Sequence, residues 1–249
     1  MSKINIFWFR RDLRLEDNVG LHHALKSGNK VLPVFIFDTD ILDHLQDKSD
    51  QRVDYIQQAL SNVDKELKIH KSSLKTYYGK PLDIFKQLTD EFEIDTVFCN
   101  RDYEPQAIKR DQKIADFLQK VGVGFSDFKD QVIFEKNEIL KSDQSPYTVF
   151  TPYSRKWKEN LKSVKECESD FSNFIHLKDS SGILSLEDIG FKKTEIKFIK
   201  PSLDKKIIDS YQQYRDFPAL DHTTHLGIAL RFGTVSIRKC VKLFPPFYS

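Results

Sequence analysis

The chain has 249 residues, long enough to bury a sizeable core in one large or two smaller domains, and its 39% hydrophobic and 31% charged residues are those of a folded globular protein. A formal net charge of +2 excludes a polyanion-binding role spread over the whole surface, so any basic nucleic-acid surface has to be local. Cys99, Cys167 and Cys240 are odd in number and lack CxxC or Cys/His spacing, which argues against a disulfide framework and against a zinc site.

Ile4–Phe9 is a continuous apolar run bounded by charge and predicts a buried parallel strand. Asn18 then caps a helix over about Val19–Lys26, with Gly28 as its exit. Val31–Phe37 predicts a second buried strand ending at Asp38; Pro33 has no backbone donor and argues against a central place for it. Val53, Ile56, Ala59, Leu60, Val63 and Leu67 recur three or four apart, which is one face of a helix over 50–67. Ser73–Tyr78 predicts a third strand, and Gly79-Lys80-Pro81 opens a helix running to about Phe92, with proline in its first turn. Asp95–Cys99 predicts a fourth strand, Tyr103–Lys120 a helix and Val123–Phe128 a fifth strand.

Strand alternating with helix over residues 1–130 predicts an α/β domain, a five-stranded parallel Rossmann-like sheet with helices on both faces. Ligands of such sheets sit at the carboxyl ends of the strands, which here carry Arg10–Arg14, Asp38–Asp40, Tyr78–Lys80 and Asn100–Glu104. Neither GxGxxG nor GxxxxGK[ST] occurs, so a common dinucleotide site and a P-loop are both unsupported. Residues 141–154, with two prolines and several Ser/Thr, read as a connecting loop, and 165–207 as a polar, weakly periodic linker wrapping the surface. The interdomain linker therefore spans 131–207. Helical spacing returns at Ile208, Tyr211 and Tyr214, then Leu226, Ile228, Leu230 and Val235, predicting the start of an all-α domain over 208–249. Pro245 and Pro246 near the end stop a helix rather than build one. The apolar run at the N-terminus is too short for a signal peptide, and no stretch approaches the ~18 apolar residues of a membrane helix. A reducing cytoplasm, no membrane partner and a monomer are expected.

Three stretches invite a functional and a plain reading. Arg10, Arg11, Asp12, Arg14, Glu16, Asp17 and Asn18 crowd the loop after the first strand. They are either a solvated charge run with a helix cap, or an anchor whose guanidinium forks fix the loop against another domain. In 100–111, Asp102 and Glu104 complement a helix dipole ahead of Pro105, or else serve a ligand at the sheet edge. Residues 211–239 are a helix pair with Thr223 as an N-cap, or part of a binding wall.

Read in order, WFRRDLRLEDNVGLHHAL (8–25) closely resembles the opening motif of the DNA photolyase/cryptochrome family. NRDYEPQAIKRD (100–111), YTVFTPYSRKW (147–157) and YQQYRDFPALDHTTHLGIALRFGTVSIRK (211–239) carry the resemblance over nearly the whole chain; 165–205 matches only loosely. The resemblance implies an architectural role for the first motif, packing the N-terminal domain against a flavin domain. It also implies an antenna chromophore held by the 100–111 segment, the end of strand two and the following helix. An arginine at Arg52 and acids at Asp102 and Glu104 match members that bind a deazaflavin. Gln106 and Ala107 replace the Asn-Glu pair of folate-binding members, which disfavours a folate antenna. Trp157 is expected to pack rather than to carry electrons.

For 211–239 the resemblance implies the first wall of an FAD site. Tyr211 matches the tyrosine reaching the flavin phosphates, and Thr223, Thr224, His225, Leu226 and Gly227 fall on a Thr-Ser/Thr-x-Leu-Ser stretch, Gly227 replacing the usual serine. A helix N-terminus with two added hydroxyls suits a pyrophosphate. Arg215 matches an arginine near the family's DNA-binding face. The parent activity so implied is light-driven repair of cyclobutane pyrimidine dimers in UV-damaged DNA by an electron from excited, reduced FAD. Family members are longer, so the chain is expected to be an N-terminal portion, inactive alone. A cryptochrome-like light sensor and a free-standing chromophore-binding α/β module stay open as alternatives.

Overall fold

The computed structural model describes residues 3–161, 164–177 and 182–243. The prolines expected to stop the last helix, Pro245 and Pro246, lie outside them. Among the described residues, one sheet is formed by β1 (Ile4–Phe9), β2 (Lys30–Asp38), β3 (Lys75–Gly79), β4 (Ile94–Asn100) and β5 (Gly124–Phe128). Its order is β3-β2-β1-β4-β5 and every pairing is parallel.

Both faces of the sheet are buried at its centre, which is why β1 and β2 read as nearly unbroken apolar runs, whereas the edge strands β3 and β5 are half-exposed. Phe7, Phe9, Val31, Phe35 and Phe37 pack into one layer with α1 (Val19–Lys26), and α2 (Thr39–Leu42) and α3 (Gln51–Ile69) add Leu42, Ala59, Leu60 and Val63 to it. Ile6, Trp8, Leu32, Val34 and Val97 pack into the opposite layer with α4 (Pro81–Glu91) and α5 (Pro105–Lys120). Asn18 caps α1 as expected, its Oδ1 accepting from Leu21 N at 3.1 Å.

Pro33 corrects one expectation, because β2 lies inside the sheet between β1 and β3. The carbonyl of Val31 points to the β3 flank, where it accepts from Ile175 N at 2.9 Å. Two residues on, the nitrogen of Pro33 faces that same flank, just before β3 begins opposite Val34. The missing donor falls in a gap of the ladder and costs no sheet hydrogen bond.

The stretch read as a loop over 141–154 also differs, since α6 spans Phe150–Asn160. Pro152 sits in its first turn, where a backbone donor has no helical partner, and no residue of α6 is buried to supply an apolar stripe. Trp157 packs edge-on against Phe134 at 5.6 Å. The polar 165–207 stretch is largely irregular and feeds side chains inward: Phe174, Leu186, Ile189 and Phe191 are buried in the α1–α3 layer.

After the linker come α7 (Lys205–Asp209), α8 (Tyr211–Tyr214), α9 (Gly227–Arg231) and α10 (Ile237–Leu243). Thr223 is not an N-cap: α9 starts at Gly227 behind Leu226, without a side-chain cap. Leu226, Ala229, Val235 and Cys240 form a small satellite core with Leu203. No helix among the described residues is long and apolar enough to cross a membrane.

The linker's contribution to the main core has a measurable consequence. Burying Phe174, Leu186, Ile189 and Phe191 at about 1.5–3 kcal/mol each is comparable to the ~5–15 kcal/mol stability of a whole domain. Residues 1–200 should therefore melt cooperatively by far-UV circular dichroism, at a temperature well above that of residues 1–130. Equal melting temperatures would place the domain boundary at 130 instead.

Candidate functional site at the carboxyl edge of the sheet

The chain reverses direction across the sheet between β1 and β4, which makes the crevice beyond their carboxyl ends the natural ligand position. Here the protein's own side chains fill it. Asn100 Nδ2 donates to Asp12 Oδ2 at 2.5 Å and to Asn18 Oδ1 at 2.7 Å. Its Oδ1 accepts from Gly20 N at 2.8 Å, and a β-carbon on Gly20 would meet that oxygen at the same distance. Arg10 donates to Asp111 and to the Asn100 carbonyl. Its guanidinium lies 4.8 Å from the Trp8 ring centroid, and that of Arg110 lies 4.9 Å away. Burial pushes the Asp12 carboxyl above the usual carboxylate range, against the hydrogen bonds from Arg10 N and Asn100.

Beside this plug lies a neutral cluster of two arginines and two aspartates, each at most 9% exposed. Arg14 Nη2 donates to Asp130 Oδ2 at 2.8 Å and to the Asp17 carbonyl at 2.7 Å, and Nη1 to the Gly233 carbonyl at 3.0 Å. Arg238 Nε donates to both Asp17 oxygens at 3.0 Å, and its Nη2 to Asp130 Oδ1 at 2.7 Å. Ser236 donates to Asp17 as well. Burial raises the Asp130 carboxyl, but Arg14 and Arg238 outweigh it and hold the group below the usual carboxylate range. Donors and acceptors are consumed by one another, so this cluster holds rather than catalyses.

What it holds is the segment from α9 to α10. Leu13 N donates to the Phe232 carbonyl at 3.1 Å, so that segment lies directly on the loop after β1. Gly233 sits at φ +63°, and a β-carbon there would overlap the Arg11 carbonyl. On the α3 side, Tyr55 Oη and Thr234 Oγ1 are hydrogen-bonded at 3.0 Å, with the Phe232 ring 5.4 Å from Tyr55. The first-motif arginines are thus an anchor and not a solvated run.

The expected antenna residues divide. Asp102 and Glu104 meet at Arg11, 3.7 Å and 2.7 Å from its Nη1, and Arg231 from α9 reaches the same Glu104 oxygen at 3.1 Å. Arg52 is not joined to them; its guanidinium pairs with Asp50 at 2.5 Å. The expected flavin residues lie outside the cluster. Tyr211 is exposed, and the hydroxyls of Thr223 and Thr224 have no hydrogen-bond partner among the described residues. A β-carbon on Gly227 would meet nothing within 4 Å, and only Leu226 of this group is buried. His225 (φ +50°) pairs with Asp221 at 2.5 Å, and Tyr214 stacks on His222 with ring centroids 4.0 Å apart, joining α8 to the bend before α9. Arg215 is exposed beside Asp216. The sequence reading missed Asp130, which looks like one more surface acid; its signal was its place just past the last strand.

The family described as DNA photolyase matches residues 5–170, two-thirds of the sequence. The chain belongs to the DNA photolyase/cryptochrome family. A Synechococcus deoxyribodipyrimidine photo-lyase is 28% identical over 94% of this chain and 52% of its own length. Among solved structures, a class III photolyase from Agrobacterium tumefaciens superposes with a TM-score of 0.82 over 98% of this chain and 53% of its own, at 23% identity, and shares the fold. An archaeal photolyase from Sulfolobus tokodaii, solved with two FAD molecules and described as implying a novel light-harvesting cofactor, gives 0.76 at 26% identity. It covers 96% of this chain and 54% of that one. The chain therefore spans about half the length of the photolyases it matches.

Within this photolyase fold the cluster predicts its own sensitivity. Asp130→Asn should destabilise the chain in urea by roughly 3–5 kcal/mol at pH 7, because it leaves two buried guanidiniums under-paired. A depressed carboxylate stabilises fully above its unfolded pKa and loses that contribution as pH falls through the lower folded value. The gap between wild type and variant should accordingly shrink below about pH 4. A gap under 1 kcal/mol at pH 7, or one that is constant with pH, contradicts the assignment.

Proposed function

We propose that this chain carries the antenna-side half of a light-driven DNA-repair flavoprotein that splits cyclobutane pyrimidine dimers in UV-damaged DNA. The observation that carries the reading is how 211–238 is held: its far end is pinned by Arg238 and Gly233, while Tyr211, Thr223, Thr224 and Gly227 face outward. Free hydroxyls, an uncapped helix start and a phenol form a donor set suited to a flavin pyrophosphate. Tyr211, Thr223 and Thr224 would bind that group, with backbone N–H groups near His225 to Gly227 completing this wall. When bound, reduced FAD supplies on photoexcitation the electron that opens the dimer. Arg215, exposed on the same segment, would meet a DNA phosphate.

For the antenna, Glu104 with Arg11 and Arg231 offers a polar edge, and the exposed Arg52 stands at the start of α3. These groups suit the polar ring edges and phosphates of a flavin or deazaflavin better than a folate, and the two FAD molecules of the Sulfolobus photolyase support that direction. Residues 211–227 would give FAD only one open wall, whereas ligand sites enclose most of their ligand. Purified chain should thus retain no stoichiometric FAD through gel filtration. Fluorescence titration should show tighter binding of a deazaflavin or FMN than of methenyltetrahydrofolate. Flavin absorbance at one per chain, or tighter folate binding, contradicts this reading.

A further inference from the structure

A net charge of +2 leaves a DNA-acting chain in need of a local basic surface, and the structure shows where one lies. Between Phe191 and Ile207 stand Lys192, Lys193, Lys197, Lys200, Lys205 and Lys206 against only Glu195 and Asp204, a net +4. With the whole chain at +2, all remaining residues together sum to −2. All six lysines are exposed. Lys200 pairs with Glu66 at 3.1 Å, Lys193 acts at longer range on the Asp54 carboxylate, and the other four have no ion pair among the described residues.

This strap is fixed rather than trailing. Thr194 N and Oγ1 donate to the buried Asp54 at 2.6 and 2.8 Å. Gln58 Nε2 donates to the Ile196 carbonyl at 3.0 Å, and Phe198 N donates to Gln58 Oε1 at 2.8 Å. Lys192 N donates to the Lys48 carbonyl at 2.7 Å. Ile196 and Phe198 turn inward onto the core, and the exposed Lys193 and Lys197 flank a bend at Glu195 in a backbone pinned to α3. Four residues apart across that bend, they stand at most about 13 Å apart, within the reach of flexible lysines for phosphates along one DNA strand.

We propose that the 192–206 strap is a sequence-independent docking strip for the phosphate backbone of duplex DNA, separate from any damage-recognition pocket. The choice of DNA as the polyanion rests on the repair function proposed above. Lysines on a pre-ordered strap bind phosphates by releasing counterions, so the signature is a salt slope rather than a base preference. Exposed lysines, of which Lys192 and Lys197 have no ion pair among the described residues, make the strip testable with little disturbance of the fold.

The test is fluorescence anisotropy of a labelled, undamaged duplex with the whole chain between 50 and 200 mM salt. Lys192→Gln/Lys193→Gln/Lys197→Gln should lower the slope of log K against log salt by about 2–3, at ~0.9 per phosphate contact, and weaken binding at least tenfold. The matched triple Lys109→Gln/Lys113→Gln/Lys120→Gln on α5 should leave slope and affinity unchanged. Equal losses in both triples, an unchanged slope in the strap triple, or no duplex binding by wild type overturns the proposal. So does strap-dependent binding of phosphatidylserine vesicles without duplex binding. A dimer-containing duplex run in parallel reports on damage preference, so failure of the repair reading shows separately from failure of the strip.

Discussion

Two guanidiniums facing two carboxylates out of water set the arrangement of this chain. Arg14 comes from the loop after β1, Asp17 from the start of α1, Asp130 from beyond β5 and Arg238 from α10. Burying four charges is costly, and an apolar replacement of similar volume would often be as stable. What the charges add is specificity of place. Bidentate geometry admits one register of the 232–240 segment on the sheet, and Gly233 fixes it further, because no side chain fits against Arg11 there. Removing either partner leaves an uncompensated charge, so the arrangement is held as a unit.

This docking also explains what the sheet's carboxyl edge does and does not offer. In many α/β proteins the crevice at the switch in strand order holds the ligand. Here Asn100, Asp12, Asn18 and Arg10 close it with a hydrogen-bonded plug, and the Arg10 guanidinium is spent on Asp111 and the Asn100 carbonyl. Open chemistry is displaced outward. It lies along Glu104, Arg11 and Arg231, along the free hydroxyls of Thr223 and Thr224, and on the lysine strap over α3. The sheet serves as a mount on which the family's motifs are oriented.

The fold of residues 3–128 was largely legible because the central strands β1 and β2, buried on both faces, announce themselves as apolar runs, and α3 as a clear period of three and four. The exceptions have local causes. Pro33 breaks the rule for central strands only because its nitrogen meets a gap in the ladder, and α6 has no buried face to reveal it. The linker's polar composition concealed Phe174 and Phe191, single apolar anchors whose burial is decided by tertiary contact rather than by period. In the site, Arg14 and Asp17 could be suspected of anchoring. Their partners Asp130 and Arg238 could not be assigned, since they stand more than 100 residues away. The split between Asp102–Glu104 and Arg52 was equally hidden, because it depends on which carboxylate each guanidinium chose.

If docking is the property on which the rest depends, the last segment cannot be uniformly loose. Residues 211–225 are mostly exposed, whereas Gly233, Val235, Ser236, Arg238 and Cys240 are buried against the N-terminal domain or the satellite core. Native-state amide hydrogen exchange on the whole chain reads this directly. The account predicts that amides of 234–240 exchange at rates close to those of the β1 and β4 amides, and far more slowly than those of 211–225. Exchange of 234–240 as fast as that of 211–225 would contradict it.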